Sequence, residues 1–279
     1  MSESAPGIGS GPVIRRKQDG SVDYQSDELT VEEPLEIRVG RKTLATTMRT
    51  PGHDEELAAG FLLSEGIVRT HGQLANISRP ENSPNRENII VVELASGVKV
   101  KLGSTQRFGT ISSSCGICGK NSIAAIRQNF PPIARTPDVR VLTEVLVSLP
   151  ALLQKHQGDF ARTGGIHAAG IFDLSGEAKV VREDIGRHNA VDKAIGRAFL
   201  DGILPLERHV LLVSGRASFE IVQKALSAAL PIVASVSAPS TLAVNFAHEC
   251  GQTLIGFLRP PSFNIYSHIE RVIMDAAEV

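Results

Sequence analysis

Apolar positions along the chain change their period several times, and each change marks an element. Residues 34–39 alternate apolar and polar, break at Gly40 and Arg41, and resume over 42–48, the pattern of a β-hairpin. From 54 to 65 the spacing becomes helical. Leu57, Phe61 and Leu62 share a face, Asp54, Glu55 and Glu56 suit the first turn, and Gly66 suits the stop. Two further strands are predicted at 88–94 and 98–102, around Ser96 and Gly97. Residues 21–106 therefore read as a small α+β domain. The Gly-, Ser- and Pro-rich residues 1–20, with the basic group Arg15, Arg16 and Lys17, predict a disordered tail.

The second half has a different rhythm. A helix is predicted over 142–157, with Pro150 opening its second part, and strands over 165–173 and 178–182 joined across Ser175 and Gly176. Helices at 188–200, 218–229 and 240–250 then alternate with short apolar strands at 209–213, 232–236 and 253–257. Such alternation predicts a layered α/β domain over 136–279, its strands buried on both faces by helices. Cys250 ends one of these helices and reads as a small buried hydrophobe.

Composition narrows the function classes. The 279 residues are 42% hydrophobic, enough for a full core, and 29 basic against 30 acidic residues leave a formal charge of −1. That balance argues against a broad nucleic-acid or polybasic membrane surface, so an anionic ligand must be met locally. Three cysteines make no paired secreted framework, and no stretch approaches the roughly 20 apolar residues of a membrane span. The expected location is the cytoplasm, which keeps thiols reduced.

Between the two domains, residues 107–135 read as a flexible loop and a short helix at 121–128. The loop contains Ser112, Ser113, Ser114 and then Cys115, Gly116, Ile117, Cys118, Gly119. Glycine and serine give the loop freedom and nothing to bury, while Lys120 and the following helix N-terminus favour the thiolate form of a nearby cysteine. A C-x-x-C pair also occurs in zinc sites and in thioredoxin-like motifs. Zinc needs four ligands, and the only other cysteine is distant; the thioredoxin setting wants the pair just after a strand with aromatic or proline neighbours, where this loop has serines.

Two strand-to-helix junctions share one chemistry. Ser214, Gly215, Arg216, Ala217, Ser218 and then Ser237, Ala238, Pro239, Ser240, Thr241 place small residues before helix N-termini, where backbone amides and the helix dipole favour phosphate. Ordinary capping explains either junction alone. His167 lies in an apolar strand and reads more readily as a core histidine than as a catalyst. Glu183, Asp184, Arg187 and His188 fit a solvated helix entrance, with Arg187 a second candidate for phosphate or guanine contact.

Taken together, RTPGHDEEL (49–57), GFLLSEG (60–66), CGICG (115–119), TGGIHAA (163–169), EDIGRHN (183–189), SGRAS (214–218), SVSAPS (235–240) and FNIY (263–266) resemble the formate dehydrogenase accessory sulfurtransferase family, FdhD. The resemblance spans about residues 31–268. It implies a cytidine-deaminase-like layered α/β fold with a smaller N-terminal α+β domain, and a cytoplasmic homodimer. It also implies a sulfurtransferase that takes sulfur from a cysteine desulfurase as a cysteine persulfide on Cys115 or Cys118. The sulfur would pass to the molybdenum cofactor, bis(molybdopterin guanine dinucleotide), of formate dehydrogenase, with no metal held by the protein itself. In the family the cofactor stretch maps to Phe257, Leu258, Arg259, Pro260, Pro261 and Ser262; Ser214, Gly215, Arg216, Ser237 and Arg187 are its expected companions. A zinc nucleobase deaminase is the competing reading, because the implied fold is shared. It wants H-x-E ahead of P-C-x-x-C, whereas His167 follows the cysteines and precedes Ala168 and Ala169.

Overall fold

A computed structural model describes residues 6–98 and 130–274. The strand expected at 98–102, the cysteine pair and the helix expected at 121–128 lie outside the described residues, apart from Val98 itself. The strands, in chain order, are β1 (Ile8–Arg16), β2 (Val22–Thr30), β3 (Glu33–Val39), β4 (Lys42–Arg49), β5 (Leu74–Ser78), β6 (Ile89–Leu94), β7 (Val141–Leu142), β8 (His167–Asp173), β9 (Ala178–Asp184), β10 (His209–Val213), β11 (Ile232–Ser235), β12 (Thr253–Arg259), β13 (Ser262–Ser267) and β14 (Val272–Ile273). The helices are α1 (Asp54–Ser64), α2 (Thr143–Lys155), α3 (Gly158–Thr163), α4 (Arg187–Leu200), α5 (Phe219–Ser227) and α6 (Thr241–Glu249).

A six-stranded mixed sheet, in the order β13-β12-β11-β10-β8-β9, carries the larger domain. Strands β10, β11 and β12 run parallel, linked by α5 and α6, while β8, β9 and β13 run antiparallel to their neighbours. Alternate side chains divide between two cores. Leu211, Val213, Val233 and Leu254 face α4, α5 and α6, whereas Val210, Leu212, Ile232 and Ala234 face Leu146, Leu149 and Leu153 of α2. The sheet is thus covered on both faces, as its apolar runs predict, and the fold class is the layered α/β domain expected.

The smaller sheet, β4-β3-β6-β5, lies on the far side of the first core. Leu35, Ile37, Ile90 and Val92 join α1 and α4 in a single cluster. Helix α1 is therefore not a surface helix with one apolar face. Only Glu55 is exposed and Phe61 partly so, while Leu57, Ala58, Ala59, Leu62 and Leu63 are all buried. Two glycines let it pack backbone to backbone with α4. A Cβ on Gly60 would stand 1.9 Å from the Asp192 carbonyl oxygen, and one on Gly196 would stand 1.8 Å from that of Glu56.

The N-terminal tail departs from expectation. Residues 8–16 are not disordered but pair with β2 over nine consecutive positions, from Ile8↔Thr30 to Arg16↔Val22. Pro12 is tolerated because a two-stranded ribbon consists only of edge strands. The turn closes through Asp19, which accepts from the Ser21 amide at 2.9 Å, and the base is fixed by the Arg162–Glu28 ion pair and a Thr30–Thr163 hydroxyl contact. Cys250, the residue that ends α6 as its C-cap, is buried at 3% exposure, as a small hydrophobe there should be.

The glycine crossing yields a prediction. Gly196→Ala pushes α4 off α1 and is expected to cost about 3 kcal/mol, as overpacking of a close contact does. Gly72→Ala, where a Cβ meets nothing within 4 Å, should cost almost nothing. Urea unfolding of the two variants beside the parent chain checks the contrast.

Candidate functional site

The carboxyl ends of β10, β11 and β12, the start of β8 and the start of α4 converge at one end of the large sheet. This is where open α/β sheets generally hold ligands. The loops there are laced together. Ser235 Oγ donates to the Gly215 carbonyl at 2.7 Å and accepts from the Ser237 amide at 3.0 Å. Ala217 and Pro239 form a parallel bridge, and the Ser240 amide reaches the Ala217 carbonyl at 3.1 Å. Ser214 extends the β10–β8 ladder: its amide donates to the Ala168 carbonyl and its hydroxyl accepts from the Ala168 amide, at 3.0 and 2.9 Å.

One buried carboxylate sets the entrance to α4. Asp184, with no exposed surface, accepts from the Gly186 amide at 2.8 Å, Asn189 Nδ2 at 3.1 Å and the Thr50 amide at 3.1 Å. Lys193 Nζ lies 2.7 Å from it. The EDIGRHN stretch is therefore no solvated entrance: it is a cage that aims Arg187 and His188. Glu183 faces the other way, taking the Asp159 and Phe160 amides at the start of α3.

Two cavities flank this end of the sheet. The first, about 450 Å³, is lined by Arg187, His188, Arg216, Ser218 and Glu220 with apolar walls that include Phe219 and Leu242. The second, about 590 Å³, is lined by Gln154, Gln157, His167, Gly165 and Ser214 among others. Gly215 stands between them, and a Cβ there would come 3.3 Å from His167 Nδ1 and 3.6 Å from the Arg187 Cβ. Neither Arg187 nor Arg216 forms a hydrogen bond or ion pair with a described residue, and Arg187 Nε is buried without a partner. Two unused guanidinium groups beside the N-termini of α4, α5 and α6 form an anion-receptive crevice.

The expected site residues fall into place unequally. Arg187 and Arg216 share the first cavity, Ser214 lines the second, and Gly215 and Ser237 shape the loops between. The stretch 257–262 lines neither cavity. It forms the β12–β13 hairpin, tied to the crevice by the Phe257 amide on Ser237 O at 3.0 Å and by Arg259 Nε on Val236 O at 2.9 Å. Within that stretch Leu258 points into the core, fully buried, so its side chain is no ligand contact. Ser240 plays the ordinary role, capping α6 through the Ala243 amide at 3.2 Å.

The sequence offers Ser218 only as part of the junction before α5, and it does not mark His188 or Glu220 as ligand contacts. Ser218 precedes α5 without capping it, its hydroxyl instead lying 3.0 Å from His188 Nε2. Burial, aided by Lys224 and Arg187 and opposed by Glu220, pushes the His188 pKa down to about 4. His167 is lowered as well, by burial and by Arg187. For Glu220 burial alone acts upward, but Lys224 and His188 outweigh it and hold the carboxyl below its ordinary range. Lys224 is fully buried; Asp192 at 2.7 Å overcomes the cost of that burial and keeps it charged. Among the described residues, no group of three or more His, Cys, Asp and Glu side chains is placed to hold a metal ion, and no helix is long and apolar enough to cross a membrane.

Fold and crevice together define a layered α/β protein with two arginines, unpaired among the described residues, at the ends of its parallel strands. The chain belongs to the FdhD/NarQ family, whose profile it matches over residues 30–273. It is 51% identical over 269 residues to the sulfur carrier protein FdhD of Streptomyces coelicolor, covering 95% of both chains. It is 50% identical over 269 residues to that of Streptomyces avermitilis, again with 95% of both covered. A crystal structure from Desulfotalea psychrophila, described as a formate dehydrogenase accessory protein, superposes with a TM-score of 0.76 over 96% of this chain and 100% of its own; at 22% identity it speaks to the fold.

The histidine beside the crevice predicts a pH response. An unfolded histidine titrates near 6.5 and the folded His188 near 4, so between these values the unfolded chain binds more protons. Stability from this group is full above pH 6.5, falls as pH drops through the window, and is gone below 4, a loss of about 3 kcal/mol at most. His188→Gln should flatten that part of the curve, as measured by urea unfolding between pH 7.5 and 4.5.

Proposed function

We propose that this protein is a sulfur carrier that loads sulfur from a cysteine desulfurase onto Cys115 as a persulfide and delivers it to a molybdenum cofactor. The cofactor is bis(molybdopterin guanine dinucleotide), bound as substrate on its way to a formate dehydrogenase. The observation that carries the reading is the pair of unused guanidinium groups, Arg187 and Arg216, at the convergence of three helix N-termini. A pyrophosphate-bearing dinucleotide is the kind of ligand such a crevice suits. The names of the curated relatives support the sulfur chemistry, and the family match spans the positions of both cysteines. The carrier works in the cytoplasm as a homodimer.

The transfer balances with the residues the chain carries. The Cys115 thiolate attacks the terminal sulfur of the desulfurase persulfide, forming a new S–S bond while the desulfurase cysteine leaves as thiolate. On delivery, the Cys118 thiolate attacks the Cys115 sulfur; hydrosulfide leaves toward molybdenum and the pair closes to a disulfide that a thiol reductant reopens. The terminal sulfur gains two electrons and the two cysteines lose them. Cys115 takes the sulfur because it follows three serines and has the greater reach, whereas Cys118 lies nearer Lys120.

Two experiments test this. Mass spectrometry after incubation with a cysteine desulfurase and cysteine should show one added sulfur per chain, lost in Cys115→Ala and retained in Cys118→Ala, which should fail at delivery. Loading lost only in Cys118→Ala reverses the two roles, and no loading in the parent chain rejects the carrier. Separately, millimolar GDP should raise the melting temperature by mass action, and Arg187→Ala with Arg216→Ala should abolish the shift. An unchanged shift in the double variant removes the crevice from the reading.

A further inference from the structure

The arginine-lined cavity contains one group that an anion site should not want. Glu220 projects a carboxylate into it from the first turn of α5, 27% of its side chain exposed. A carboxylate there repels any phosphate drawn by Arg187 and Arg216 unless the ligand also brings hydrogen-bond donors to meet it. Its charged neighbours do not use it up. His188 Nδ1 stands 3.6 Å away and Lys224 Nζ 3.7 Å, both longer than a full hydrogen bond. Lys224 is held back by its closer partners, Asp192 at 2.7 Å and Ser64 at 3.2 Å. The oxygens of Glu220 therefore keep open acceptor positions on the cavity side.

The rest of the cavity fits a flat ring. Ala217, Ala238 and Pro239 give small apolar surface, Leu242 is 44% exposed at the lip, and Phe219 is held by an edge contact to Phe246 at 4.7 Å. A planar base laid on these walls, with its phosphates toward the arginines, would present one edge to Glu220. Guanine carries adjacent donors, N1–H and the N2 amino group, that match the two oxygens of one carboxylate. Adenine offers an acceptor beside its amino donor and leaves one oxygen facing a lone pair.

We propose that Glu220 is the specificity residue that reads the guanine edge of the bound nucleotide. The assignment rests on the reading of the crevice as a guanine dinucleotide site and adds which side chain selects the base. The positive charges of Lys224 and Arg187 outweigh the effect of burial and hold Glu220 ionised, as reading two N–H donors requires.

The test is isothermal titration of the full-length chain with GDP, IDP, 2′-deoxy-GDP and ADP. IDP lacks only the N2 amino group, and 2′-deoxy-GDP lacks only a ribose hydroxyl. The parent chain should bind GDP at least about tenfold more tightly than IDP or ADP and bind 2′-deoxy-GDP as it binds GDP. Glu220→Gln should bring GDP within about threefold of IDP while leaving ADP binding unchanged, and its melting temperature without nucleotide shows that the fold survives. Equal binding of GDP and IDP by the parent chain, or a preference for GDP that persists in Glu220→Gln, overturns the assignment and leaves the crevice reading intact. A loss on removing the 2′-hydroxyl as large as that on removing the amino group moves Glu220 to the ribose and overturns it too. Binding of none of the four overturns both.

Discussion

The contact between α1 and α4 at Gly60 and Gly196 is the constraint on which the other parts depend. No side chain lies between the helices there, so their separation is set by backbone and does not adjust to a neighbouring residue. Polar groups ring the crossing and use its geometry. Arg182 forks onto Glu56, whose pKa falls to about 2 because the guanidinium and His53 outweigh the effect of burial. Asp192 joins Lys224 and Ser64, and Gln223 Nε2 donates to the Ser64 carbonyl at 2.6 Å. Such buried pairs add little net stability once desolvation is counted, but breaking one leaves a stranded charge at a cost of about 3–5 kcal/mol. They select one way of seating the small sheet on the large domain.

That seating reaches the crevice through two short routes. Helix α4 begins at Arg187, so the helix that α1 clamps near its middle is the one that presents Arg187 and His188 at its start. Asp184 completes this route by gathering Thr50 from the small domain's β4 exit together with Gly186, Asn189 and Lys193. The second route runs through α5, where Lys224 is anchored by Asp192 of α4 and Ser64 of α1 and stands one turn beyond Glu220. The polar stretches 49–57 and 183–189, far apart in the chain, are thus parts of one assembly, in which the small domain supports groups that it does not touch directly.

Much of this architecture is legible in the sequence, and the exceptions have physical causes. The parallel strands β10 and β11 are short apolar runs between helical periods, and the expected bounds agree with the observed ones to within a residue or two. The hairpin β3–β4 is equally plain, because Gly40 at φ +55 supplies the turn that the alternation calls for. Strand β1 is hidden because its pattern mixes glycine, serine and proline with apolar residues, and what holds it is pairing to β2 and contacts at α3, which lie far off in sequence. At the site, Arg187 and Arg216 are visible as cations at helix starts. Glu220 is not, because an acidic residue in a first helical turn is the commonest of capping arrangements; only the cavity in front of it gives it another meaning.

A chain with formal charge −1 has no general attraction for polyanions, so its affinity for one must come from where the few cations are left unspent. Around α1 nearly every buried cation is paired: Arg49 with Asp54, Arg182 with Glu56, Lys193 with Asp184, Lys224 with Asp192. Arg187 and Arg216 stand apart from that pairing, at the end of the sheet where α4, α5 and α6 begin. Their positive field is local, and the carboxylate of Glu220 beside it limits which anions benefit. Discrimination of this kind requires that the two signs be held at fixed separation, and the glycine crossing, by fixing α4 against α1 and through Lys224 also α5, is what holds them.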